Sequence, residues 1–422
     1  MFEDKGGIRE GIVPENRTMD AEKEVLWRKL AACMARAERG EELTIGFLGG
    51  SITQGSLASA DDKTYAYRVY RWWCNTFPQA EFHYVNGGIG GTCSCFGAAR
   101  AVRDLLMYQP DVVVVDFSVN DKGETSEEES FYQETYEGLL RRIVSWPSSP
   151  AVLVLNNVYY DSGKTMQDRH NAVAEHYRVP FVSIKDSIYR KMKEGRYCLE
   201  ELTPDGLHPN DLGHELVAGE IIRLLEEIRA WGEKEGLCTE PGADRRDIDR
   251  EGSSREDIDR RESNREDIDG KDIVGGEILP LPLTQNAYER AKLLTIRNSR
   301  PVLDGFRADS REKKGHLDTF KNGWMGKKAG DRIIFYVDAS CIAVQYRKTI
   351  QRPAMSARLI LDGKQEEAVL LDGNFEESWG DCLYLLPVLH HGEREEHRVE
   401  IEVTETAKRG ETPFYLLGLI IA

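Results

Sequence analysis

Nowhere in this sequence do enough apolar residues run together to cross a bilayer as a helix, which takes about 18 to 20. The longest candidates, Val112 to Val115 and Tyr415 to Ala422, read as buried strands. The first sixteen residues, MFEDKGGIREGIVPEN, have neither a basic start nor an apolar centre, so they do not read as a secretory signal. Positive charge is in deficit: 56 Lys and Arg face 73 Asp and Glu, for a net charge of −17. That field repels nucleic acid and anionic membrane, and it excludes both as expected partners. A neutral substrate would not feel it. Paired cysteines are also missing. The eight present (Cys33, Cys74, Cys93, Cys95, Cys198, Cys238, Cys341 and Cys382) are scattered, and none forms a CxxC zinc pattern. With no export signal they read as reduced thiols, and the expected location is the cytoplasm. Cys93 and Cys95 read as small apolar filler. His83, His170, His176 and His214 have no metal-like spacing, and the pair His390-His391 falls in an expected loop, so no metal is assigned.

What is present is a globular composition, 40% hydrophobic and 31% charged, in 422 residues. That length exceeds one ordinary core and favours two domains. Apolar positions at helical spacing over 20–39 stop at Gly40, a natural C-cap. Leu43 to Gly49 is a short apolar run without helical period, hence a buried strand. Helices over 62–77, 94–108, 126–144, 164–177 and 210–231 then alternate with strands over 81–85, 111–117, 151–158 and 181–184. Such alternation predicts an α/β fold, a flavodoxin-like three-layer α/β/α sandwich around a parallel sheet. In such sheets ligands bind at the carboxyl ends of the strands.

Residues 18–237 are assigned to this domain. Residues 238–274 read as a flexible linker: the stretch 244–272 is mostly charged, lacks aromatics, and repeats an Arg-Asp-Ile-Asp-like unit at Asp247, Asp257 and Asp267. Residues 275–422 change character again. Short runs such as 332–337, 341–346, 357–361, 368–371, 382–389 and 397–403 are separated by turn signals including Asp362-Gly363 and Asp372-Gly373. They predict an antiparallel β-sandwich.

Four short blocks in the first domain carry chemistry. Ser51 follows Gly49-Gly50 at a strand end, where glycine allows the sharp turn that exposes a hydroxyl. A plain helix N-cap would also place a serine there. The stretch Gly50 to Gly55 brushes a phosphate loop, but position 56 is Ser where Lys is required. Gly91 closes Asn86-Gly-Gly-Ile-Gly-Gly, and its bare amide can approach a ligand; the stretch lacks the G-x-G-x-x-G of a dinucleotide site. Asn120 follows the strongest strand, and its amide can donate to an oxyanion without carrying charge. His208 lies three residues after Asp205 and just before Pro209, which holds its backbone out of the helical region. Asp205 is near enough to orient the ring.

As an ordered set these blocks resemble the SGNH (GDSL-type) hydrolase superfamily over about residues 40–232. The resemblance implies Ser51 as nucleophile, His208 and Asp205 as its acid–base partners, and an oxyanion hole from the Ser51 and Gly91 amides and the Asn120 side chain. Two positions depart from the family pattern: Gly50 replaces the usual Asp, and Ser118 the usual Gly. The glycine form of the first block, with a second β-domain, resembles intracellular two-domain carbohydrate acetylesterases. The function this implies is removal of acetyl groups from oligosaccharides through an acyl-enzyme, with no cofactor and no metal. Activity should fall below about pH 6.5, where an unperturbed imidazole is protonated. A lipid acyl hydrolase or thioesterase with the same machinery, and a carbohydrate-binding protein with an inactive hydrolase domain, are the rivals. Trp324, Tyr346 and Trp379 lie beside turn-rich segments and are candidate sugar platforms, with core packing as the alternative. Folded back on the linker, the second domain would complete a cleft. It could equally serve as a dimer surface, so a homo-oligomer stays open.

Overall fold

The computed structural model describes residues 15–237, 273–274, 277–405 and 411–422. The charged repeat over 244–272, and with it nearly all of the expected linker, lies outside the described residues. The first domain runs α1 (Glu15–Glu38), β1 (Glu42–Gly49), α2 (Ser51–Gln54), α3 (Tyr65–Thr76), β2 (Glu81–Gly88), α4 (Ser94–Asp104), β3 (Val112–Asp116) and α5 (Ser126–Val144). It continues through β4 (Ala151–Asn156), α6 (Gln167–His176), β5 (Phe181–Ser183), α7 (Arg190–Lys193), α8 (Leu199–Leu202) and α9 (Asp211–Lys234). The five strands are parallel in the order β2-β1-β3-β4-β5, the flavodoxin-like order expected.

Strand alternation explains the two faces. Val112 and Val114 point into one apolar cluster with Leu30, Trp73 and Ile221, from α1, α3 and α9. Val113 and Val115 point into the other, with Ala98 and Leu139, from α4 and α5. Both faces of β3 are therefore buried, which is why its sequence is an unbroken valine run. Helix α5 starts with a capping box, Thr125 with Glu128, and carries acidic residues in its first turn and Arg141 and Arg142 in its last.

A separate antiparallel pair, β6 (Ile273–Val274) with β7 (Glu277–Ile278), precedes the sandwich strands, and β6 occupies the last two residues of the expected linker. Then come β8 (Lys292–Leu294), β9 (Val302–Asp304), β10 (Arg307–Ala308), β11 (Trp324–Gly326), β12 (Arg332–Ala339), β13 (Ile342–Lys348) and β14 (Ala357–Leu361). Last are β15 (Val369–Leu371), β16 (Cys382–Leu389), β17 (Glu395–Val403) and β18 (Phe414–Ile421). Two antiparallel sheets result. One is β10-β11-β18-β13-β16 with β8 on β18, and the other is β15-β14-β17-β12-β9. Their inner faces enclose Trp324, Phe335, Tyr346, Ile401 and Phe414. The turn signal Asp362-Gly363 has positive φ at both residues, 52° and 75°, as a tight turn after β14 requires.

The sandwich is docked against the first domain. Ala343, Tyr415 and Leu417 share one apolar cluster with Ala98 and Leu139. Gly138 on α5 makes room: a Cβ there would come within 2.7 Å of the Glu289 amide nitrogen. Buried polar contacts flank the seam. Arg141 pairs with Glu289 at 2.8 Å and donates to the Pro280 carbonyl at 2.7 Å. Glu137 accepts from the Thr284 amide at 2.7 Å and from the Tyr177 hydroxyl at 2.6 Å. No described helix is long and apolar enough to cross a membrane.

Candidate active site

The carboxyl ends of β1, β2 and β3 build one rim. Ser51 is the first residue of α2, one residue past the end of β1, and its side chain is largely buried. The first turn of α2 holds it, with the Gln54 amide donating to the Gly50 carbonyl at 3.0 Å. His208 arrives from far along the chain on the loop before α9. Its Nε2 lies 2.8 Å from Ser51 Oγ. Its Nδ1 lies 2.6 Å from Asp205 Oδ2, and the other carboxylate oxygen accepts from the amides of His208 (2.8 Å) and Leu207 (3.0 Å). Partial burial pushes the Asp205 carboxyl up. The hydrogen bonds from the His208 ring and the two amides outweigh it and hold Asp205 below the usual carboxylate range. The acid stays ionised and fixes the imidazole with Nε2 toward the serine. The arrangement can take a proton from a hydroxyl and later return it to a leaving group.

The predicted oxyanion groups gather at the same rim. A Cβ on Gly50 would fall 2.0 Å from Asn120 Oδ1, so the Asn120 side chain lies against the backbone just before Ser51. With this placement of Asn120, any side chain at position 50 would collide with its amide. A Cβ on Gly90 would meet Ser51 Cβ at 3.5 Å, and the Gly90 amide donates to Gln54 Oε1 at 2.6 Å. The β2–α4 loop thus sits on the nucleophile's helix. Gly91, at the outer edge, has φ of +67°, which a side chain would strain. At the other departure, Ser118 is fully buried and donates to the Asn157 carbonyl at 2.9 Å, tying the ends of β3 and β4 together.

Of the three aromatic candidates, only Trp379 reaches this rim. It sits between β15 and β16, is 56% exposed, and its Cη2 lies 3.4 Å from where a Gly91 Cβ would be. Phe375 supports it edge-on at 4.9 Å between ring centroids, and Glu377 accepts its indole N–H. Trp324 and Tyr346 are corrected: they are 2% and 1% exposed. Trp324 packs edge-on against Phe335 and Tyr346 stacks on Phe414, both inside the sandwich. Their registers turn these rings inward, so neither offers a face to a sugar.

Three supporting groups escape a reading of the sequence. Arg100 on α4 is fully buried and donates to the carbonyls of Gly49, at 2.9 Å, and Gly87, clamping β1 to β2 just below the rim. Asp104 neutralises it at 3.1 Å. Asp116, the last residue of β3, accepts from Asn157 Nδ2 at 2.9 Å and Thr53 Oγ1 at 3.2 Å. Burial pushes its carboxyl up to about 7. Asp121, next to Asn120, accepts from the Ser94 amide at 2.8 Å and meets the buried His170 ring at 3.0 Å. The only local signal was an acidic residue directly after an apolar run, and it could not name those partners.

Residues 47–216 match the GDSL-like Lipase/Acylhydrolase family. Over 94% of both chains, the protein is 42% identical to a two-domain esterase active on acetylated mannans, crystallised with mannopentaose, with a TM-score of 0.79. A second crystal structure of a two-domain esterase active on acetylated mannans matches at 42% identity and TM-score 0.79, over 93% of this chain and 94% of that one. No curated protein sequence matches. With the family signature over the rim and the likeness spanning both domains, the chain belongs to the GDSL-like lipase/acylhydrolase family as a two-domain esterase.

Proposed function

We propose that the protein removes acetyl groups from mannan-type oligosaccharides through a Ser51 acyl-enzyme. The observation that carries this is the hydrogen-bonded line from Asp205 through His208 to Ser51 Oγ, with spacings of 2.6 and 2.8 Å. His208 Nε2 takes the Ser51 proton as Oγ attacks the ester carbonyl carbon. The oxyanion is held by the amides of Ser51 and Gly91 and by Asn120 Nδ2. His208 then gives its proton to the departing sugar oxygen. A water, deprotonated by the same nitrogen, attacks the acetyl-serine, and Ser51 takes its proton back as acetate leaves. Trp379 is the sugar platform, presented by the second domain above Gly91. Support for mannan comes from the relative that acts on acetylated mannans and was crystallised with mannopentaose.

Cys74, Cys93, Cys95, Cys198, Cys341 and Cys382 are thiols, which supports action in a reducing compartment such as the cytoplasm. The deciding experiment is Ser51→Ala on acetylated manno-oligosaccharides, read by mass spectrometry as loss of acetyl groups. The variant should fall by a factor on the order of ten thousand or more. Retained activity would mean another nucleophile. A p-nitrophenyl ester series should fall steeply beyond acetate, and a preference for long chains would move the assignment to a lipid hydrolase.

A further inference from the structure

At the seam between the domains, far along the sequence from the Ser51 blocks, three metal-binding side chains converge. Cys341 immediately precedes β13, and His390 and His391 immediately follow β16. These strands pair antiparallel with Ile342 opposite Leu389, so the register brings position 341 beside position 390. One ligand atom from each of Cys341, His390 and His391 lies within 4.8 Å of the other two. Cys341 Sγ is 3.9 Å from His390 Nδ1 and accepts the His391 amide at 3.4 Å. A backbone N–H on sulfur stabilises the thiolate that a metal needs. The sulfur is buried, while His390 is open to solvent and gives an ion a way in.

Glu134 of the catalytic domain stands behind the pair. Its Oε2 lies 2.8 Å from His391 Nε2 and 3.7 Å from His390 Nε2, and its Oε1 accepts the Ala287 amide at 2.9 Å. A carboxylate on Nε2 leaves Nδ1 of His391 as its ligating nitrogen, and a carboxylate behind a histidine is the usual support of a metal site. The Tyr288 hydroxyl, 3.0 Å from His390 Nδ1, competes for that nitrogen and would cede it on binding.

We propose that Cys341, His390 and His391, backed by Glu134, bind a divalent ion of the zinc class at the domain seam. One thiolate and two imidazoles suit a borderline-soft ion and disfavour magnesium or calcium. With metal–ligand bonds of about 2.0 to 2.3 Å, neighbouring ligand atoms in a tetrahedron are separated by roughly 3.3 to 3.7 Å, so closure takes movement of about 1 Å. Binding expels the thiol proton to solvent. The fourth position is left to water. By fixing His391 in its contact with Glu134, the ion would steady one end of β16 against α5. A strand of eight residues, about 26 Å long, separates this end from the Trp379 loop at the other.

The test uses untagged full-length protein stripped with a chelator and dialysed. Zinc is titrated by calorimetry and cobalt by absorption. One equivalent of zinc should bind and raise the melting temperature. Cobalt should give a thiolate-to-metal band in the near ultraviolet. Cys341→Ser should abolish the band and weaken binding at least tenfold, and His391→Gln should weaken it similarly. Because other thiols exist, a band that survives in Cys341→Ser overturns the proposal. So does wild-type protein that binds no stoichiometric zinc, or binds it with no change in melting temperature. If Cys341→Ser does not fold, the His391→Gln titration decides by the same criterion.

Discussion

The indole of Trp379 lies over Gly91, with its Cη2 3.4 Å from the position a Cβ would take there. A residue of the second domain thus overhangs a predicted oxyanion donor of the first. Trp379 is more than half exposed, and its ring is braced by Phe375 and Glu377. Trp379→Ala should therefore raise KM for acetylated oligosaccharides about tenfold, the order of an aromatic contact plus its buried area. Turnover of p-nitrophenyl acetate, too small to reach the ring, should change little. Steady-state kinetics on both substrates checks this. An equal loss on both would mean the ring supports the loop and does not touch sugar.

Gly50 and Asn120 make a second coupled pair. A methyl group on Gly50 has no room, because Asn120 Oδ1 would stand 2.0 Å from it. Gly50→Ala should push the Asn120 amide aside and lower kcat about a hundredfold, as loss of one oxyanion donor does. KM should move far less. Asn120→Ala should give a similar loss, and the double variant should lose little more, since both changes remove the same contact.

Two buried groups set opposite pH trends in stability. Asp116 rises from 3.8 to about 7 on folding. Between these values the folded chain holds the proton that the unfolded chain releases, so its contribution is complete below pH 4 and lost as pH climbs through 7. His214 falls from 6.5 to about 4, burial outweighing its hydrogen bond to Ser56, so its contribution is complete above pH 6.5 and lost as pH drops through 4. Asp116→Asn removes only the first trend. Its melting temperature should gain steadily on the wild type from pH 4.5 to 7.5 by circular dichroism. Parallel curves would rule out the raised carboxyl.

The seam rests on a buried ion pair. Arg141 and Glu289 are 2.8 Å apart, with side chains 4% and 10% exposed. Arg141→Ala should cost about 3 to 5 kcal/mol, because a charge is left in a poorly solvated place. Urea denaturation followed by tryptophan fluorescence measures it. Arg141→Met, which fills the space but keeps the charge problem, should lose nearly as much.

The sequence showed Ser51, Asn120 and the Asp205–His208 pair because each carries a local signature: a glycine turn after a strand, an amide just past the strongest strand, a histidine held before proline. The parallel sheet covered on both faces followed from helix–strand alternation, which does not by itself set the strand order. What stayed hidden depends on partners distant in the chain. Arg100 is a helix residue like many others until the Gly49 and Gly87 carbonyls are seen above it. Trp324, Tyr346 and Trp379 share the same neighbourhood of turns. Trp324 and Tyr346 lie on strands, where register sends the rings inward, as when β11 pairs Trp324 with Leu416, whereas Trp379 lies in the loop between β15 and β16. Docking of the sandwich on α5 was equally illegible, since Gly138 and Glu137 look like ordinary helix positions.

Ala98, Leu139, Tyr288, Ala343 and Tyr415 belong to a single apolar cluster. The border between the two halves is therefore a place where neither can be cut cleanly. A fragment ending at residue 237 would keep all its proposed catalytic groups, yet bare a greasy flank on α4 and α5. It would need detergent, a fusion partner or self-association to stay in solution.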